Sequence, residues 1–331
     1  MAQARLNRDE FFDKLSGLGE AELKKALWTL YWRGSAPVRD RIAAAIDPAA
    51  EEGRGRTMKP APDPVLVLGE VTEFASLARK GAYLAGDRRV SPKERTRWRL
   101  TFRRLAGEAQ DALRGDDMGS AAAAVSVMID LACESRDVDY FRSEDPVEAA
   151  RFVVSDAVRA LWLRTREEEG PRFAERAAEQ LLRWESEYGW TRRGDGWVAA
   201  RETFLARVLS DLLVVPDLWA GFANQYLQAL DRAATGGRKG QRSRRGRQQR
   251  AEGLRVWHAL LIERLIGSDH EELLDRLVTH ESLAGPEVTF LQARLARERG
   301  DLEAARSLVK RCLASLPGHR DFHAFASDIG A

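Results

Sequence analysis

Little in this chain is equipped for disulfide, redox or metal chemistry. Its 331 residues include two cysteines, Cys133 and Cys312, and five histidines. Each cysteine lies in a helical pattern, so a disulfide framework is not expected. Also missing is any run near the roughly 20 apolar residues that a membrane-crossing helix requires. The opening MAQARLNRDEFF lacks the apolar middle of a secretion signal, so a cytoplasmic chain with no membrane partner is expected. Catalytic signatures are absent in specific ways. There is no GxxxxGKS or GxxxxGKT and no GxSxG, and GRG at 53–55 lacks the strand and helix of a dinucleotide site. His270 and Glu271 open an HExxH pattern, but Leu274 stands where the second histidine is needed, and the zinc-protease reading fails. The expectation is a non-catalytic protein with no cofactor.

The net charge of +2 is small but uneven. Residues 238–250 hold seven Arg or Lys and no acid, so the rest of the chain carries about −5. Any basic patch is therefore local, whereas a dedicated nucleic-acid-binding domain is basic over a whole face.

What the chain does have is helical punctuation. Residues 286–317, PEVTFLQARLARERGDLEAARSLVKRCLASLP, read as two antiparallel helices joined at Gly300 and Asp301. Glycine takes the left-handed geometry that ends the first helix, and Asp301 accepts from the amides that open the second. Pro286 suits a first helical position, and Pro317 cannot continue the second helix. Leu291, Leu295, Leu302, Val309 and Leu313 form apolar stripes, and Ala293, Ala305 and Cys312 are small enough for close packing. In spacing, Ala293, Gly300, Leu302, Ala305, Val309, Cys312, Leu313 and Pro317 resemble one tetratricopeptide repeat. The likeness covers about a tenth of the chain and lacks an early aromatic in the first helix. It implies a helical-repeat architecture that binds protein partners.

The same pattern recurs upstream. A small three-helix unit is expected over 1–46, with helices Asn7–Leu15, Glu20–Trp32 and Pro37–Ile46. In its second helix Leu23, Ala26, Leu27 and Leu30 make a stripe, and Trp28 and Trp32 add an aromatic ridge beside it. That ridge is either covered by the third helix and main body or left exposed as a docking ridge for a partner protein. Residues 47–63 read as a linker. Helices are then expected from Asp63 and Pro64 to Arg79, from the Ser91/Glu94 capping box to Leu113, over 120–133, from Asp145 and Pro146 to Glu168, and over Phe173–Glu187. A further hairpin spans 197–232, a buried helix 251–267, a helix 268–280, and a short helix closes the chain. Together these predict an all-α protein of packed antiparallel helical hairpins, an α-solenoid over 64–331, with a disordered basic loop at 235–250.

Four groups of side chains are candidates for function. The basic run Arg238, Lys239, Arg242, Arg244, Arg245, Arg247 and Arg250 suits phosphate backbones or an acidic protein. The helix after Ser91 carries Arg97, Arg99, Arg103 and Arg104 beside Arg95, either a solvated face or a face for phosphate or an acidic partner. Trp184, Tyr188, Trp190 and Trp197 surround the turn GWTRRGDGW, which either stacks a ring or seals a junction between hairpins. His319 and His323, one helical turn apart, with Cys312 upstream, form half a metal site at most. His258 beside Trp257 reads as a core residue. Carboxylates such as Asp137, Asp139 and Glu167 to Glu169 read as solvated faces.

The segments KALWTLYWRGSAPVRDRI and RRVSPKERTRWRLTFRRL resemble the helical region of bacterial proteins that accompany SWIM zinc fingers. That likeness implies association with nucleic acid or its machinery. The zinc motif pairs CxC with CxH and is absent here, so neither metal nor DNA contact carries over. A protein-interaction scaffold or adaptor is the expected function, with nucleic-acid association through the basic run as the alternative.

Overall fold

A computed structural model describes residues 8–35, 38–39, 42, 60–236 and 243–331. The chain divides into two compact units, 1–60 and 61–331. Among the described residues there are only helices, turns and one isolated backbone bridge, Tyr83 to Phe141. The expected all-α packed helical fold is what the chain adopts.

In the first unit, α1 spans Arg8–Ser16 and α2 Glu20–Arg33. Glu22 returns its carboxylate to the Gly19 amide at 3.0 Å, which satisfies one of the donors at the start of α2. No residue of α2 is buried, so the stripe expected to face a core lies open. Of the third expected helix only Val38, Arg39 and Ile42 fall among the described residues, and they are helical. Most of the expected linker lies outside them.

The second unit begins with three long helices, α3 (Pro64–Arg79), α4 (Pro92–Ala112) and α5 (Met118–Asp137), packed against one another. The starts of α3 and α4 are those predicted, whereas α5, expected over 120–133, begins at Met118 and runs to Asp137. Asp63 accepts from the amides of Val65 and Leu66, and Ser91 and Glu94 complete their capping box. Phe74, Trp98 and Phe102 meet around Phe141, with Trp98 stacked on it at 4.3 Å. Helix α5 has the length and mean hydropathy, 1.2, of a membrane-crossing segment, but 56% of that stretch is buried inside the protein, as in a core helix.

Where a single helix was expected from 145 to 168, the chain forms two, α6 (Pro146–Ala150) and α7 (Val154–Glu169). Arg151 adopts φ 53°, a left-handed geometry that ends α6. Then follow α8 (Phe173–Trp184), α9 (Leu205–Leu212) and α10 (Pro216–Gly236). Neither Val153 before α7 nor Phe204 before α9 has a side chain that can cap. Remote carboxylates replace them. Glu202 accepts from Val154 N at 2.7 Å and Ser155 N at 2.9 Å, and Glu185 accepts from Ala206 N at 2.7 Å. Glu148 likewise takes the amides of Trp197 and Val198 at 2.7 and 2.8 Å. Its approach explains Gly196, where φ is +119° and a Cβ would lie 2.6 Å from the Glu148 carboxyl carbon.

The basic stretch after α10 departs from the disordered loop expected over 235–250. Residues Arg244–Gly253 form a helix, α11, opened by Ser243, whose hydroxyl accepts from Gly246 N at 3.1 Å. Arg247 and Arg250 hold it by donating to the carbonyls of Glu281 and Ser282, each at 2.9 Å. Leu254 interrupts the helix expected over 251–267, and α12 runs Arg255–Leu265. The next helix, α13, is Glu272–Val278 and starts later than the Ser268/Glu271 signature suggested. Ser268 instead donates to Leu265 O at 2.7 Å, while Glu271 accepts from Gly267 N and binds Arg299.

The terminal hairpin comprises α14 (Pro286–Glu298) and α15 (Leu302–Ser315), side by side as expected, with Gly300 at φ 80° between them. Ala293, Ala305 and Cys312 are buried at the contact, whereas Leu302, assigned to the stripe, is 44% exposed. Helix α16 (Arg320–Asp328) completes a small cluster with Phe322 and Phe325. The main core runs continuously from Val67 to Leu295.

Candidate functional site

Trp28 and Trp32 lie one turn apart on α2 with ring centroids 5.7 Å apart, stacked, and are 59% and 70% exposed. Tyr31 stacks on Trp28 at 5.8 Å, and Leu27 and Leu30 are exposed on the same helix. A folded helix that leaves this much apolar surface in water is a surface available for contact.

The arginines of α4 divide into two kinds. Arg103 donates to Ala150 O at 3.0 Å, and Arg104 pairs with Glu70 and Glu108. Both serve the body itself. Arg97 and Arg99 are exposed and form no side-chain hydrogen bond or ion pair with any described residue.

Arg99 borders a cavity of about 440 Å³ lined by Tyr83, Leu84, Pro92, Arg95, Trp98 and Arg142 together with the turn after Tyr83. The backbone bridge between Tyr83 and Phe141 ties the turn after α3 to the loop after α5, which brings Arg142 opposite α4. No carboxylate lines this cavity. Neither Arg95 nor Arg142 has a side-chain partner among the described residues, and Nε of Arg95 is buried without one. Burial pushes the Tyr83 phenol up to about 12, so its hydroxyl remains a proton donor. Glu94 and Glu73 add to that rise and Asp87 acts on Arg95 from a distance, while Asp87 is itself paired with Arg89 and Glu94 bonded to Ser91. Sequence reasoning found Arg99 but not Arg142 or Tyr83. They lie in different loops about 60 residues apart, brought together by the bridge and by the packing of Tyr83 and Phe141 against each other and Phe74.

Of the basic run, Arg238, Lys239 and Arg242 lie outside the described residues. Arg247 and Arg250 are committed to carbonyls, which leaves Arg244 and Arg245 exposed on the first turn of α11. The turn GWTRRGDGW joins segments of the body. Trp184 donates to Asp130 at 2.8 Å, Trp190 donates to Trp184 O at 2.9 Å, and Arg192 donates to the carbonyls of Ser135 and Val138. Trp197 stays 43% exposed, with the guanidinium of Arg201 over one face of its ring, 3.9 Å from the centroid.

The half-site for metal does not assemble among the described residues. His323 Nε2 lies 2.6 Å from Pro317 O, and His319 faces Glu287 at 3.3 Å while stacked on Phe322. Cys312 donates to Pro286 O, and burial raises its thiol to about 11, which keeps it protonated. His258 is buried against Tyr226 at 2.7 Å, and desolvation lowers it to about 3. It is a neutral core group. Asp137 pairs with Arg136, Asp139 with Arg192, Glu167 and Glu168 with Arg164, and Glu169 with Arg176.

No family model, curated protein or solved structure matches the chain.

Proposed function

We propose that the protein is a non-catalytic interaction scaffold, in which a small helical unit presents an aromatic ridge to a protein partner. The observation that carries this reading is the exposure of Trp28 and Trp32, stacked on a helix with no buried residue. Tryptophan is the side chain most enriched among residues that dominate protein interfaces. The tetratricopeptide-like spacing of the terminal hairpin supports the same reading. The test is purification of the full chain from its native host, with nuclease and salt controls, beside the Trp28→Ala, Trp32→Ala double variant. A protein recovered in stoichiometric amount with the parent and lost with the double variant is the expected result. Unchanged recovery would remove the ridge as the docking surface.

A second reading, nucleic-acid association through residues 238–250, is favoured by the exposed Arg244 and Arg245. Binding of that kind would weaken steeply with salt. Replacing the basic residues of the run with serine should abolish it.

A further inference from the structure

We propose that the cavity formed by Tyr83, Arg95, Trp98, Arg99 and Arg142 binds a phosphate monoester carried on a small molecule. The site lies within the second unit, and the proposal does not rest on the ridge of α2.

Charge comes first. Three guanidiniums border one cavity that no carboxylate lines, while most arginines of the body are paired with an acid or a carbonyl. Asp87 acts on Arg95 from outside the lining, but no carboxylate among the described residues bonds to any of the three, so the guanidiniums repel one another and the repulsion eases when an anion enters. The buried Nε of Arg95 makes the same demand more locally. A desolvated donor without an acceptor is unfavourable.

Geometry selects the anion. Arg95 and Arg99 are four residues apart on α4, hence neighbours on one helical face, and Arg142 approaches from a separate loop. Guanidinium forks match the oxygens of phosphate in pairs. A monoester has three terminal oxygens and nearly two charges, which suits three guanidiniums and a phenolic donor. A diester offers two oxygens and one charge, leaving part of the site unsatisfied.

Size and lining select the rest of the ligand. A cavity of about 440 Å³ is several times larger than a bare phosphate and falls within the range of small-molecule pockets. Tyr83, Leu84, Pro92 and Trp98 give it an apolar and aromatic wall, suited to a ring or short carbon frame beside the phosphate. The aromatic floor is held by packing, since Tyr83 meets Phe74 at 5.1 Å and Trp98 is stacked on Phe141. The site is thus largely formed before the ligand arrives.

The experiment is calorimetric titration of the full chain at fixed ionic strength. Phenyl phosphate is the probe, with inorganic phosphate, sulfate, diphenyl phosphate and a single-stranded oligonucleotide lacking terminal phosphate as comparisons. Saturable one-to-one binding of phenyl phosphate is expected. Arg99→Gln and Arg142→Gln, both at exposed positions, should each weaken it at least about tenfold. Arg97→Gln, exposed but outside the cavity, should leave it unchanged. Circular dichroism of each variant establishes that the fold is kept. Absence of saturable binding, binding by either cavity variant as tight as the parent's, or equal response to sulfate or diphenyl phosphate would each overturn the proposal. Preferential binding of the oligonucleotide, lost in the same variants, would reassign the cavity to a nucleic-acid backbone.

Discussion

Replacing Glu287 with glutamine should flatten the dependence of stability on pH. Glu287 sits near the start of α14, is 7% exposed, and has a carboxyl raised to about 7, chiefly by burial. Arg255 acts in the opposite direction, while Glu187, Glu252 and Asp321 add to the rise. His319 also faces it, with Nε2 at 3.3 Å from a carboxyl oxygen. In the unfolded chain this group releases its proton near its ordinary value of about 4.3. Between that value and about 7 the folded state therefore holds a proton that the unfolded state has lost. Stability is greatest below the unfolded value, falls through that window, and levels off above the folded value. A rise of between two and three pH units corresponds to roughly 3 kcal/mol. Glutamine keeps the shape and cannot ionise. Urea denaturation at intervals from pH 4 to pH 8 should give nearly equal stabilities for parent and Glu287→Gln at the acid end. The variant should be the more stable by roughly 2–3 kcal/mol at the alkaline end. Parallel curves across the range would refute the reasoning.

Glu202→Ala removes the acceptor for two amides at the start of α7. A loss of about 2–4 kcal/mol is expected by denaturant titration, since two buried donors lose their partner. Ala293→Leu places a large side chain where α14 and α15 meet and Ala293 has no exposed surface. It should cost about 1–3 kcal/mol, read as a lower thermal midpoint. Leu302→Ala, at a 44% exposed position in the same hairpin, should cost about 0.5 kcal/mol or less, so a larger loss would mean that Leu302 is covered in solution.

These predictions separate what the sequence states openly from what only the folded chain reveals. Helix starts marked by neighbouring residues were legible. Asp63 with Pro64, Ser91 with Glu94, and Gly300 with Asp301 act within three residues of one another, and each lies where expected. Boundaries set from a distance were not. Nothing beside Val154 or Leu205 announces a helix, because Glu202 and Glu185 supply the caps. The basic run read as a loop because it has no apolar periodicity, yet Arg247 and Arg250 hold its second half in a helix through the carbonyls of 281 and 282. At Ser268 a local signal was present and the chain used it otherwise. The candidate site follows the same division. The arginines of α4 were visible as a cluster, but which of them are satisfied depends on Glu70, Glu108 and Ala150, and the cavity depends on Arg142 from another loop.

The distant carboxylates at the starts of α7 and α9 have a consequence for how the body comes apart. In a linear array each unit leans only on its neighbours, so a chain cut between units leaves two stumps that can stand. Here a cut between 155 and 202 parts the start of α7 from Glu202, which completes it, and divides one continuous core. Neither fragment should hold its structure alone, and residues 61–331 should melt as a single event.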